Sequence, residues 1–204
     1  MNLESLKPEI EANVPGCRLE ILSNPSPSGQ HTLLVDPEHA LAIATYLRDA
    51  ADLRFDYCSN VTGIDWPAPE APGKMKLKEM EEDLEQDDDA QAPGHLEAVY
   101  HLYSMEKKHG PVILRMRTED RARRVHLPSL TPVWRSADFQ EREIFDLFGI
   151  IFDGHPDLRR LLMWEEFKDH PMRRDYVEPD DYEYEPTAHD EVLRKTMHHH
   201  AKHQ

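Results

Sequence analysis

Cysteine and glycine are scarce in this chain, and each scarcity removes a class of chemistry. Two cysteines, Cys17 and Cys58, occur in 204 residues, with no CxxC pair. A cluster held by four thiolates therefore has no ligand set here, and the chain carries no iron–sulfur centre of its own. A disulfide between the two is formally open, but the composition favours two reduced thiols in a cytoplasmic protein. The eight glycines nowhere form a dinucleotide fingerprint or a phosphate loop. HExxH and GxSxG are also missing, which sets aside the usual hydride, phosphoryl, zinc and serine chemistries. No apolar run approaches the roughly 20 residues that span a bilayer. The opening MNLESLKPEIE resembles neither a secretory signal nor an Arg-rich transit peptide. The expectation is a soluble protein that meets a membrane only through partners.

Positive charge is short as well. Twenty-four Lys and Arg face 40 Asp and Glu, for a formal charge of −16. Nucleic acid and anionic lipid, both polyanions, are excluded as direct partners. The acid is concentrated: residues 68–95 hold nine acids against three lysines, and residues 177–191 hold seven acids with no Lys or Arg. The rest is nearly neutral, as a folded body with two acidic excursions requires.

Taken in order, Leu3, Leu6 and Ile10 recur at helical spacing and stop before Pro15-Gly16. Arg18 to Leu22 and His31 to Val35 read as a hairpin. Asp36-Pro37 supplies a cap and a first-turn proline, after which Ala40, Ile43, Ala44, Leu47 and Ala51 line one helix face. Phe55 and Tyr57 open a strand that runs, with a bulge, to Trp66. Residues 67–95 are an insertion whose Leu77, Met80 and Leu84 stripe and Asp87-Asp88-Asp89 run carry weak signals, and a solvated excursion is expected. Strand patterns resume at Ala98 to Ser104 and Val112 to Arg117, with a turn at Lys107 to Gly110. The order α-β-β-α-β-β-β predicts an α+β fold, a two-layer α/β body on a mixed five-stranded sheet. A helix, an extended strap and a tail follow. The divisions are residues 1–127 for the body, 128–176 for the helix and strap, and 177–204 for an acidic tail with Tyr182, Tyr184 and His198 to His200.

The densest stretch is Asp138 to Tyr176. Asp138 as N-cap, Glu141 completing a capping box and Gly149 at C′ bound a helix of about three turns. Leu147, Ile144, Phe148 and Phe145 share an arc with Glu141 in its middle, while Arg142, Glu143 and Asp146 lie opposite. Glu141 has two readings, a bond to the N-cap amide or a bidentate bond from a downstream arginine. Asp153 to Pro156 is a turn, Asp157 to Met163 one or two helical turns, and Met172 to Tyr176 an extended exit after His170-Pro171. Arginine pairs on such backbone suit contact with another chain. The paired carboxylates and the two His-Pro histidines make no convincing acid/base or metal set, since a histidine before proline more often fixes a turn.

The ordered run Glu141-Arg142-Glu143, Asp146, Gly149, His155-Pro156, Arg159-Arg160, His170-Pro171, Arg173-Arg174 and Asp175-Tyr176 resembles the signature of the thirty-kilodalton subunit of respiratory complex I. In bacteria that is the C subunit of the proton-translocating NADH:quinone oxidoreductase. Phe139 stands where the family often has tryptophan. The resemblance implies a non-catalytic subunit of the hydrophilic arm docked on a forty-nine-kilodalton-type subunit, at the cytoplasmic face of the inner membrane. NADH, FMN, iron–sulfur clusters and quinone would belong to the complex, not to this chain. Relatives in membrane-bound hydrogenase-like complexes share the motif, and a free-standing metal-dependent enzyme is the remaining alternative. The signature residues are expected to be docking residues, with Arg159 and Arg160 in ion pairs within the chain or across an interface.

Overall fold

The computed structural model describes residues 2–27, 29–68 and 94–177. Its elements are α1 (Leu3–Asn13), β1 (Leu19–Leu22), β2 (Thr32–Val35), α2 (Pro37–Asp49), β3 (Tyr57–Trp66), β4 (His95–Ser104), β5 (His109–Arg117), β6 (His126–Pro128), α3 (Ala137–Phe148) and β7 (Ile151–Asp153). The chain divides into two compact units, Met1–Arg174 and Asp175–Gln204, and all of these elements belong to the first. The main sheet has the order β1-β2-β5-β4-β3. Only β2 and β5 pair in parallel among these strands, which gives the α+β fold with a mixed five-stranded sheet. Two sequential antiparallel pairings, β3 with β4 and β4 with β5, form a meander. The chain reaches its far edge from β2 by way of α2.

Alternation decides which sheet face is covered. Leu96, Ala98, Tyr100 and Leu102 of β4, Val112, Leu114 and Met116 of β5, and Leu33 and Val35 of β2 all enter the core. Leu6 and Ile10 of α1 and Ala40, Ile43, Ala44 and Leu47 of α2 pack against them. Burying side chains of this size is worth roughly 1.5–3 kcal/mol each, and this layer supplies most of the stability. Ala51 is exposed beyond the end of α2. The helix stops at Asp49 because the Leu53 and Arg54 amides turn back to the Ala50 carbonyl. Asp36 does occupy the N-cap, followed by Pro37, but its carboxylate makes no cap bond. It accepts the Arg18 amide at 3.0 Å and meets His39 Nδ1, tying the start of β1 to the start of α2.

The expected bulge lies between Cys58 and Asn60. The Val61 amide beyond it is taken by Gln140 Oε1 of α3 at 2.6 Å. Phe148 covers Gly63, where a Cβ would sit 2.5 Å from the ring. These contacts seat α3 on β3. The β4–β5 turn falls earlier than expected, over Met105 to Lys108, with β5 beginning at His109. Ser104 Oγ accepts the Lys107 amide, and Lys108 takes φ 58°, so the turn closes before Gly110.

A second sheet was not legible. Ile151 to Asp153 form β7, which pairs in parallel with β6 through His126↔Ile151 and Leu127↔Phe152. Three-residue strands are too short to display a period. The start of α3 also differs from the expectation. Ser136, already at φ −65° and ψ −18°, holds the N-cap position, and Asp138 lies in the first turn. The turn over Leu130 to Trp134 winds directly into the helix, so no extended cap residue is needed. Most of the insertion, including Leu77 and Asp87 to Asp89, and the tail with Tyr182, Tyr184 and His198 to His200 lie outside the described residues. Among the described residues no helix is long and apolar enough to cross a membrane. Cys17 and Cys58 are both free, and burial pushes the Cys58 thiol up to about 12.

Candidate functional site

The candidate site is built on α3 and the segment that wraps it, from β7 to Arg174. Glu141 sits at its centre with no solvent exposure. One oxygen accepts from the Tyr100 hydroxyl and the Leu130 amide, each at 2.9 Å, and the other from Ser129 Oγ at 2.6 Å. Ser129 is in turn bonded to Thr131. Neither sequence reading of Glu141 holds. Its oxygens are spent neither on the N-cap amide nor on an arginine, because the side chain points inward between β4 and the loop before α3. Burial outweighs these donors, and the carboxyl is raised above its ordinary value. This carboxylate crosslinks three segments.

Asp146 performs the equivalent task further along α3, and the strap meets it there. Its side chain is fully buried. Oδ2 accepts the amides of Leu161, Leu162 and Met163 at 3.0, 2.7 and 2.9 Å, and Oδ1 accepts Arg160 Nη1 at 2.7 Å. Three successive amides converging on one oxygen make an anion nest closed by a guanidinium. Burial alone pushes this carboxyl up; the three amides and Arg160 more than offset it and hold the group below its ordinary value. Arg142 and Asp146, on the side opposite the apolar arc, are therefore buried as well. The strap covers that side, and residues 157–163 form turns and bends with no helix, their amides being claimed by Asp146 instead of by a helical ladder.

The two His-Pro histidines fix backbone. His155, its side chain fully buried, accepts the Asp157 amide on Nδ1 and donates from Nε2 to the Asp138 carbonyl at 3.1 Å. Acceptance on Nδ1 assigns the neutral Nε2–H tautomer. His170 Nδ1 donates to the Asp146 carbonyl at 3.0 Å. Burial, with Arg173 and Arg160 nearby, lowers its pKa. Arg173 Nε donates to the Phe148 carbonyl at 2.6 Å and Nη1 to the Arg121 carbonyl at 2.9 Å, capping the C-terminus of α3. Gly149 makes this approach possible: it has φ 79°, and a Cβ there would sit 2.4 Å from His170 Nε2 and 2.7 Å from Arg173 Nη2.

The other expected residues divide by position. Arg142 is buried, donates to the Arg159 carbonyl at 3.3 Å and stacks 5.3 Å from the Phe139 ring. Arg159 is largely exposed and pairs with Asp157. The ion pairs of Arg159 and Arg160 thus lie within the chain, and one arginine of each adjacent pair faces inward. Glu143, Pro156 and Arg174 are at the surface, with Pro171 half-buried. Residues 171–175 turn instead of leaving extended, because the Arg173 amide returns to the His170 carbonyl and that of Met172 to Leu147. Asp175 and Tyr176 fall in the second unit.

Sequence reasoning missed two further buried acids. Asp65 accepts from Arg121 Nε and Nη2, each at 2.6 Å, and from the Arg174 amide at 2.8 Å. Glu97 gathers Arg115, Arg117, Trp66 and His95. Burial raises both carboxyls, and their donors reverse the sign. Each is the only Asp, Glu, Lys or Arg in its strand, which was the available signal. Asp36, Glu38 and His39 bring ligand-type atoms within 4.8 Å of one another. Asp36 is already engaged with Arg18 and His39, and the helix N-terminus behind it disfavours a cation.

Residues 33–182 match the family model described as the respiratory-chain NADH dehydrogenase 30 Kd subunit. The C subunit of the NADH-quinone oxidoreductase of Saccharopolyspora erythraea is 37% identical over 148 residues, 72% of this chain and 49% of that protein. The Caulobacter vibrioides protein of the same name is 34% identical over 174 residues, 85% and 73% of the two chains. The chain thus spans about half the length of the first of these relatives. A chain of the membrane-bound sulfane sulfur reductase, an archaeal respiratory membrane complex, superposes with a TM-score of 0.57 at 16% identity, over 94% of this chain and 91% of that one. That likeness is one of fold.

Proposed function

The chain belongs to the family of the thirty-kilodalton subunit of the respiratory-chain NADH dehydrogenase, and on that premise we propose that it is a non-catalytic structural subunit of a proton-translocating NADH:quinone oxidoreductase. It docks in the hydrophilic arm, on a forty-nine-kilodalton-type subunit near the quinone-reducing end, at the cytoplasmic face of the membrane. Residues 1–127 are the body, 128–176 the docking helix and strap, and 177–204 a tail that extends the contact. NADH, FMN, iron–sulfur clusters and quinone are held by the other subunits.

The observation that carries this reading is the use to which the signature is put. Asp146, Arg160, His155, His170 and Arg173 each bond backbone of the strap or of α3. Polar groups spent on holding a non-repetitive segment in one shape pre-organise a surface, and pre-organisation lowers the ordering cost of association.

The test is affinity purification of the chain from its native membranes in mild detergent, with mass spectrometry of what accompanies it. A forty-nine-kilodalton-type subunit, cluster-bearing subunits and a flavin subunit are expected at equal stoichiometry. A hydrogenase-like large subunit without an NADH module, or the chain alone, overturns the reading.

A further inference from the structure

Carboxylates pin the strap at two places, and a histidine pins it between them. Asp146 holds the amides of Leu161, Leu162 and Met163, and Asp65 holds that of Arg174 at 2.8 Å. Between these anchors His170 Nδ1 lies 3.0 Å from the Asp146 carbonyl, and the Met172 amide lies 3.1 Å from the Leu147 carbonyl. A carbonyl only accepts, so Nδ1 carries the proton of the neutral ring and Nε2 is the nitrogen that gains a second one. What Nε2 faces is cationic: it and Arg173 Nη2 lie 2.4 and 2.7 Å from the one point that a Cβ on Gly149 would occupy. Arg173 is fixed by the Phe148 and Arg121 carbonyls, and Arg160 by those of Asp146 and Asp169, so both guanidiniums are held where they are.

We propose that His170 is the catch of an acid-operated latch: its protonation releases residues 170–173 from the C-terminal end of α3 while the anchors at Asp146 and Asp65 hold. The charges around the ring set the direction. From α3 comes Asp146, whose carboxylate is already spent on Arg160 and three amides. The strap contributes Arg160, Arg173 and the exposed Asp169, and behind Arg173 stands Arg121, paired with Asp65. Burial disfavours the imidazolium most, the bond to the Asp146 carbonyl favours it, and Arg173 and Arg160 oppose it more than the Asp146 charge helps. The contribution of the neutral ring is therefore complete above about pH 6.5 and is lost as pH falls through the folded value. Asp146 and Asp65 are both held below the ordinary carboxylate value and stay ionised through that window. A segment freed between two fixed ends is a local opening, which requires less free energy than unfolding the sheet. The latch is a property of the chain itself and does not depend on which subunit the strap meets.

The experiment follows amide hydrogen exchange residue by residue in the full-length chain at about pH 7.5 and about pH 5.5, on either side of the ordinary histidine value, with each rate corrected for the intrinsic pH dependence of exchange. Protection of the Met172 amide is expected to fall by at least about fivefold on acidification, while Leu161, Leu162, Met163 and Arg174 keep theirs. In His170→Asn the side-chain amide can still donate to the Asp146 carbonyl but takes no second proton, and Met172 protection is expected to be the same at both pH values. A nitrogen-15 NMR titration of the wild-type ring gives a readout that does not depend on the folding of the variant: the Nδ1–H tautomer at neutral pH and a midpoint below about 6.5 are expected. Unchanged protection at Met172 in the wild-type chain overturns the latch, as does a pH dependence that survives in His170→Asn. Loss of protection at Leu161 to Met163 or at Arg174 in step with Met172 also overturns it, and so does a ring that rests in the Nε2–H tautomer or titrates at or above about 6.5.

Discussion

Replacing Asp146 by Asn keeps the size of the side chain and removes one charge and one acceptor. If the amide oxygen takes the place facing Leu161, Leu162 and Met163, the NH2 group confronts Arg160 Nη1, which now sits 2.7 Å from an acceptor. Rotating the amide moves the same conflict onto three backbone donors. In either orientation Arg160, only 13% exposed, is left without its counter-charge. Removing one partner of a buried ion pair costs roughly 3–5 kcal/mol. Arg160 keeps longer bonds to the Asp146 and Asp169 carbonyls, at 3.2 and 3.4 Å, which places D146N near the low end, about 3 kcal/mol. For a chain of this size that corresponds to a fall in Tm of about 6–12 °C. The assay is thermal unfolding of the purified chain combined with amide hydrogen exchange. Protection at residues 161–163 is expected to collapse before that of β4 and β5. Unchanged protection at those three amides with a Tm shift below about 2 °C would refute the nest as the element that shapes the strap.

Glu141→Gln is expected to cost less than about 1 kcal/mol, because an amide satisfies Tyr100, Leu130 and Ser129 and no guanidinium requires the charge. Glu141→Leu strands the buried Tyr100 and Leu130 donors and is expected to cost about 3 kcal/mol or more; urea unfolding separates the two. Gly149→Ala combines φ 79° with a 2.4 Å approach to His170 and should lose at least about 2 kcal/mol by the same measurement. Acid should weaken the fold in two stages. The lowered pKa of His170 gives a contribution present above about pH 6.5 and lost as pH falls through the folded value. The lowered pKa values of Asp65, Glu97 and Asp146 give contributions present above about pH 4 and lost below it. Glu141, raised by burial, acts oppositely: its contribution is complete below about pH 4 and is lost as pH rises through its folded value. Stability measured against pH for His170→Asn should lack part of the first decline, and an unaltered curve would count against the assignment.

Much of the fold was written in local pattern. The two-residue period of Leu96 to Leu102 and of Val112 to Met116, and the helical spacing of Leu6 and Ile10 and of Ala40 to Leu47, are statements about which face is buried, and burial of those faces is what forms the sheet and its helices. The ordered charges from Glu141 to Tyr176 likewise marked the family without reference to their contacts. Their partners could not be read in the same way. Glu141 meets Tyr100 from β4 and Ser129 from a loop, Asp65 meets Arg121, and Asp146 draws in three amides from a segment with no period of its own. A periodic pattern records the apolar demand of one element on its own surroundings, whereas the partner of a buried charge depends on which distant segments the folded sheet brings together. Hence the chain itself determined the layers and the family, and only the tertiary structure decided that the arginines turn inward and the apolar residues of the strap turn out.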